Sequence, residues 1–214
     1  MDKVKLYNGL PVFNAMVQDE EAGVYCVSLV TNPATEVNFV YFDKEKQVEK
    51  FAIADESEHI VAGIIMVADQ PIFRIGPNGF QYYINYTKDT LKIMAEKMIF
   101  DSVGSSVNIQ HQDGSNVEGV NLQQLFIIDR EKGINPTFFS DVTDGSLVGF
   151  YKVHNDDVWE MIQNGEVLSF SLEGIFSLEE QIEEYSKQLP SNNEELELKE
   201  IEQLVAKIKE KLHK

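Results

Sequence analysis

The tetrapeptide Gly76-Pro77-Asn78-Gly79 constrains the fold of this chain most, because it stands between two short apolar-rich segments, Pro71 to Ile75 and Phe80 to Tyr86. Proline presets φ for the first corner of a turn, and Asn-Gly tolerates the positive φ that tight hairpins demand. The flanking segments therefore read as the two arms of a β-hairpin. Within the second arm Gln81, Tyr83 and Asn85 alternate with Tyr82, Ile84 and Tyr86, the period of a half-buried strand. Similar segments recur: Val24 to Val30, ended by Asn32-Pro33, then Val37 to Phe42, Phe51 to Ala54, Ile60 to Val67, Leu122 to Ile128 and Leu147 to Val153. Two helices interrupt them. Thr87 caps the first, whose Leu91, Met94, Ala95 and Met98 fall on one face. Asn155 caps a shorter one carrying Val158, Trp159 and Ile162, which Gly165 terminates. Residues 1–176 are thus expected to form one mainly β domain with flanking helices, of the α+β class.

Composition changes at Ser177. Ser177-Leu178-Glu179-Glu180 is a capping box, Pro190-Ser191-Asn192-Asn193 breaks the helix it starts, and Glu194 to Lys214 resumes with Ile201, Leu204, Val205, Ile208 and Leu212 as an apolar stripe. Residues 177–214 are therefore expected to be an acidic, amphipathic helical tail. Asp and Glu number 36 against 18 Lys and Arg, a net charge of -18. Such a field repels nucleic acid and anionic lipid, so a direct nucleic-acid reader is disfavoured. No apolar run reaches the ~20 residues that span a bilayer, so no membrane partner is expected, and Met1 to Tyr7 has no signal-peptide character. Cys26 is the sole cysteine, which precludes an internal disulfide, and its setting in Tyr25-Cys26-Val27 is that of a buried small hydrophobe. His59, His154 and His213 lack metal-ligand spacing, and neither a phosphate-binding GxxxxGK[ST] loop nor a GxSxG elbow is present. No cofactor and no metal are expected.

Two further segments are polar strands. In Leu168-Ser169-Phe170-Ser171-Leu172-Glu173-Gly174, period two sends Leu168, Phe170 and Leu172 to the core and Ser169, Ser171 and Glu173 to the other side. Alone, this is the pattern of a solvent-facing antiparallel strand. In Val107-Asn108-Ile109-Gln110-His111, the histidine shares a face with Val107 and Ile109, while Asn108, Gln110 and Gln112 take the opposite one. A histidine ending an apolar face is ordinarily a structural group. Together, however, the two segments offer a hydroxyl nucleophile, Ser171, and an imidazole base, His111. That is the minimum equipment of a serine hydrolase, provided the two faces meet in a covered cleft.

The order of segments resembles that of the phage prohead (capsid maturation) serine proteases of the XkdF-like group. Val27-Ser28-Leu29-Val30-Thr31-Asn32-Pro33-Ala34 with Glu36-Val37 is similar to their opening, and His59-Ile60-Val61-Ala62-Gly63 and Pro71-Ile72-Phe73-Arg74 to the next blocks. Val107 to His111 with Val117-Glu118-Gly119-Val120 resembles the histidine block, Asp157-Val158-Trp159 with Gly165 the helix before the nucleophile, and Phe170-Ser171-Leu172-Glu173-Gly174 the serine block. The resemblance spans roughly residues 20 to 176. It implies a herpesvirus-protease-like β-barrel and peptide-bond hydrolysis, with Ser171 at the nucleophile position and His111 at the base position. Gln110 stands where the group often has an acid. Ser169 stands where glycine is common, which makes it the alternative nucleophile. Glu173 is the first choice for the orienting carboxylate because it shares a face with Ser171, and Asp113, two residues from His111, is the other. The resemblance also implies substrates inside the assembling procapsid in the host cytoplasm: scaffolding protein, a major-capsid-protein extension and the protease itself. A homo-oligomer stays open. The tail would serve as a tether or a self-cleavage site. The alternative is a non-enzymatic capsid-assembly or scaffold component that keeps an inactive protease-like barrel.

Overall fold

The structure is a computed structural model and describes residues 4–18, 22–31, 52–76, 79–112, 116–178, 181, 182 and 185. The expected strand Val37 to Phe42, the alternative carboxylate Asp113 and nearly all of the expected tail lie outside these residues.

Asn8 and Gly9, at φ of 50° and 80°, reverse the chain between β1 (Leu6–Tyr7) and β2 (Leu10–Asn14). The hairpin around Gly76 is present: β6 (Ile72–Ile75) and β7 (Gln81–Asn85) pair antiparallel, and Gly76 N–H donates to Phe80 C=O at 2.9 Å. β2 joins β7 in parallel, giving a sheet of order β1-β2-β7-β6. A second sheet is wholly antiparallel and runs β4 (Ala52–Asp55), β5 (Ile60–Met66), β10 (Leu147–Val153), β9 (Val120–Ile127). A third sets β3 (Gly23–Val30) between β11 (Ser169–Ile175), antiparallel to it, and β8 (Val107–Ile109), parallel to it.

Helix α1 (Lys88–Phe100) starts where expected, with Thr87 Oγ1 accepting from Thr90 N–H, and it buries Leu91, Met94, Ala95 and Met98. Helix α2 (Asp156–Gln163) is capped by Asn155 and buries Val158, Trp159 and Ile162. Gly165, at φ 74°, follows it in the left-handed conformation that ends helices. These faces meet Phe13, Val27, Leu29, Leu147, Tyr151 and Phe170 in one core. Leu178 and Ile182 are buried in that core as well, Tyr185 packs against Phe13 and Phe80, and the Gln181 amide both donates to and accepts from the Asn14 backbone. The turn after Ser177 is therefore anchored on β2.

The described residues are mainly β with the helices α1 and α2 beside the sheets, as the segment pattern implied. The expected barrel is not closed by hydrogen bonds among the described residues. β11 lies against β5, and the 3-10 turn Val103–Ser105 against β9, without ladders between them. Among the described residues no helix is long and apolar enough to cross a membrane.

Candidate active site

Register places Ser28 of β3 opposite Ser171 of β11 and beside Asn108 of β8. Directly paired residues share a face, so Asn108, Ser28 and Ser171 form a polar row across the third sheet. Ser169 and Glu173 extend it along β11 in either direction, because side chains alternate with period two. Val27, Leu29 and Phe170 occupy the opposite, core face. The polar face is covered too: Ser28 is 0% exposed, Asn108 5%, Ser169 4% and Ser171 6%. The solvent-facing alternative for this strand fails on that observation.

His111 joins this face by a route that alternation does not anticipate. β8 ends at Ile109, and Gln110 and His111 both take φ of 55°. Two successive left-handed residues replace the strand and carry the imidazole to the Asn108 side, away from the Val107 and Ile109 side on which period two places it. The turn is pinned to the end of β3. Gln110 N–H donates to Leu29 C=O at 2.9 Å, and its Nε2 donates to Thr31 Oγ1 at 2.6 Å. The Thr31 hydroxyl gives its own proton to Glu166 C=O at 2.6 Å, so it must accept from Gln110. A carboxylate has no proton for that bond, which accounts for an amide at this position.

Four side chains converge. Glu173 Oε1 accepts from Ser28 Oγ at 2.5 Å and from Asn108 Nδ2 at 2.6 Å, and lies 3.0 Å from His111 Nδ1. Ser28 Oγ is also 2.9 Å from His111 Nδ1 and 2.5 Å from Asn108 Oδ1. A carboxylate only accepts, so it orients the Asn108 amide and holds the proton of neutral His111 on Nδ1. Nε2 is left with the lone pair that a general base needs. The Glu173 side chain is covered (15% exposed) and the His111 ring is open (43%), so the anchor lies inward and the working edge outward. Burial pushes the Glu173 carboxyl up, but hydrogen bonds from Ser28, Asn108 and His111 outweigh it and hold the group below its ordinary range. It stays ionised at neutral pH.

Glu173 and His111 thus meet. Ser171 shares their face as the register neighbour of Ser28, and among the described residues no hydrogen bond joins it to His111. Ser169 Oγ is buried without a partner among the described residues. Ser28 and Asn108 were not singled out from sequence. Ser28 was legible as the one serine in the apolar run Val24 to Val30, whereas alternation set Asn108 against His111. Burial, then the nearby Glu173 charge, push the Cys26 thiol up, which suits an inert packed side chain. His59 stacks on Trp159 at 4.4 Å with planes 6° apart, away from this cluster. Among the described residues no group of three or more His, Cys, Asp or Glu side chains is arranged to hold a metal.

A bulge lies between Glu173 and Gly174, directly after the carboxylate. A Cβ on Gly174 would lie 2.6 Å from Gly23 C=O, a backbone atom that cannot swing aside. Gly174→Ala is expected to destabilise the protein by about 1–3 kcal/mol, with resonances of His111 and Glu173 shifting together in NMR spectra. Unchanged stability would mean that the bulge does not hold the strand.

A family model described as "Putative phage serine protease XkdF" matches residues 47–183. That is more than half of the chain, and it contains Asn108, His111, Ser171 and Glu173 but not Ser28. No curated protein and no solved structure matches the chain at a significant level. The polar row on β11, the imidazole turned onto it and the extent of this match agree, and the chain belongs to the XkdF family of phage serine proteases.

Proposed function

We propose that the chain is a serine endopeptidase of phage capsid maturation in which Ser171 is the nucleophile, His111 the general base and Glu173 the orienting carboxylate. The observation that carries this reading is the His111 Nδ1–Glu173 Oε1 contact at 3.0 Å on the face that also presents Ser171. Ser171 Oγ attacks the scissile carbonyl carbon as its proton passes to Nε2. The imidazolium returns that proton to the leaving amine, and water then hydrolyses the acyl-serine ester by the same steps in reverse. Catalytic hydrogen bonds are commonly loose before substrate arrives and tighten in the complex, which fits a Ser171 not yet bonded to the ring.

Family membership supports a phage substrate, and we assign scaffolding protein and a major-capsid-protein extension within the procapsid. A chain carrying a net charge of -18 is suited to work there without adhering to DNA. Close approach of β11 to β5 and of the 3-10 turn to β9 supports an open variant of the herpesvirus-protease-like barrel. The covered Ser171 favours one rival, a capsid-assembly component with an idle site. The deciding experiment is treatment with a fluorophosphonate, followed by peptide mapping, alongside incubation with a scaffold fragment. A phosphonyl adduct on Ser171 and cleavage of the fragment are expected. Neither adduct nor cleavage in correctly folded protein supports the idle site.

A further inference from the structure

We propose that Ser28 is a positioning residue of this site, a buried hydroxyl on β3 that locks the His111–Glu173 pair from the Nδ1 side and takes no part in bond making. The proposal rests on the serine-hydrolase reading above and adds a residue that lies outside the matched segment 47–183.

Ser28 Oγ touches three polar groups: Glu173 Oε1 at 2.5 Å, Asn108 Oδ1 at 2.5 Å and His111 Nδ1 at 2.9 Å. It owns one proton, and one pattern satisfies all three groups. His111 Nδ1–H donates to both Ser28 Oγ and Glu173 Oε1, the Ser28 proton lies between Glu173 Oε1 and Asn108 Oδ1, and Asn108 Nδ2 donates to the carboxylate. Ser28 and Glu173 are the two side chains of the four that each touch the other three, and Asn108 reaches His111 through them. Removing the hydroxyl therefore loosens the imidazole as well as the carboxylate.

The same geometry bars Ser28 from being the nucleophile, although its hydroxyl lies within hydrogen-bond reach of the histidine. A nucleophile must hand its proton to the nitrogen that lacks one. Ser28 sits at Nδ1, the nitrogen that already carries a proton because Glu173 faces it. It is also 0% exposed, whereas attack requires room for a peptide carbonyl. In the hydrolase reading the Nε2 side falls to Ser171, its register neighbour on the same face.

The test compares wild type with Ser28→Ala and Ser28→Thr, in the full chain. Ser28→Ala is expected to lower kcat about 10- to 100-fold, as loss of a hydrogen bond to a charged group would. KM should stay within about twofold, the pattern of lost transition-state alignment. Ser28→Thr keeps the hydroxyl and should recover most of kcat. In ¹⁵N spectra, wild type and Ser28→Thr should hold neutral His111 as the Nδ1–H tautomer, and Ser28→Ala should show a mixture of both tautomers. A fluorophosphonate adduct should form on Ser171 in all three proteins. An adduct on Ser28 overturns the proposal, because Ser28 would then be the nucleophile. A single His111 tautomer and undiminished kcat in Ser28→Ala also overturn it. Absence of any adduct in wild type sinks the hydrolase reading instead, and the tautomer comparison still decides whether Ser28 positions the ring.

Discussion

Ser171→Ala is expected to lower kcat/KM for peptide hydrolysis by about 10⁴-fold or more, with a melting temperature within about 2 °C of wild type. Both halves follow from where the residue sits. Ser171 is paired through backbone bonds to Ser28, and its side chain supports no partner among the described residues that alanine would orphan. The fold should therefore tolerate the change. Chemistry should not, because in the proposed mechanism Ser171 Oγ is the oxygen that carries the acyl group. Ser169→Ala is the matching control. Ser169 Oγ is buried and has no partner among the described residues, and an unpaired buried hydroxyl is itself destabilising, so its loss should leave stability equal or higher and activity intact. Measured kcat/KM and thermal melts of both variants check this. If Ser171→Ala still cleaves while Ser169→Ala does not, the nucleophile lies one step further along β11.

How much of this was legible in the sequence depends on which physical rule governed each segment. Where local chemistry decided, the expectation held. The pairing of β6 with β7, the Thr87 and Asn155 caps, and the buried stripes Leu91–Met94–Met98 and Val158–Trp159–Ile162 are all in place. Asn8-Gly9 was an equally readable hairpin signal, but the strands it joins are too short to register as periodic segments. Where tertiary context decided, period two misled. Taken alone it gave the polar side of β11 the pattern of a wet surface, since a sequence does not say what covers a face. It also kept His111 on the side of Val107, because nothing in the sequence announces two consecutive left-handed residues at Gln110 and His111. The shared face of Glu173 and Ser171 was legible because it needed only alternation within one strand. Ser28 and Asn108 were not, because their contact with Glu173 depends on which strands lie side by side, and β3 and β8 are separated by the whole of β4 to α1.

Glu173→Gln should separate the electrostatic role of this carboxylate from its shape, and we expect kcat to fall about 10²- to 10⁴-fold with little change in KM. The amide keeps the volume and one accepting oxygen, so the fold and the peptide-binding surface should persist. It loses the charge that stabilises an imidazolium, and its own N–H₂ competes to face Nδ1, where it would force the proton onto Nε2 and remove the base. Stability should change with a definite sign against pH. The Glu173 carboxyl is held below its ordinary value of 4.5 in the folded protein, because hydrogen bonds from Ser28, Asn108 and His111 outweigh burial. A group so depressed stabilises the native state above the unfolded-state value, and that contribution disappears as pH falls through the folded-state value. Wild type should therefore exceed Glu173→Gln in stability near neutrality, and the gap should close on acidification below about 4.5. Denaturant melts of both proteins at several pH values check it. A gap that is the same at pH 7 and in acid would mean that the carboxylate is not kept ionised by its neighbours. The tautomer argument for His111 would then lose its footing as well, because only an obligate acceptor at Nδ1 leaves Nε2 free to take the proton from Ser171.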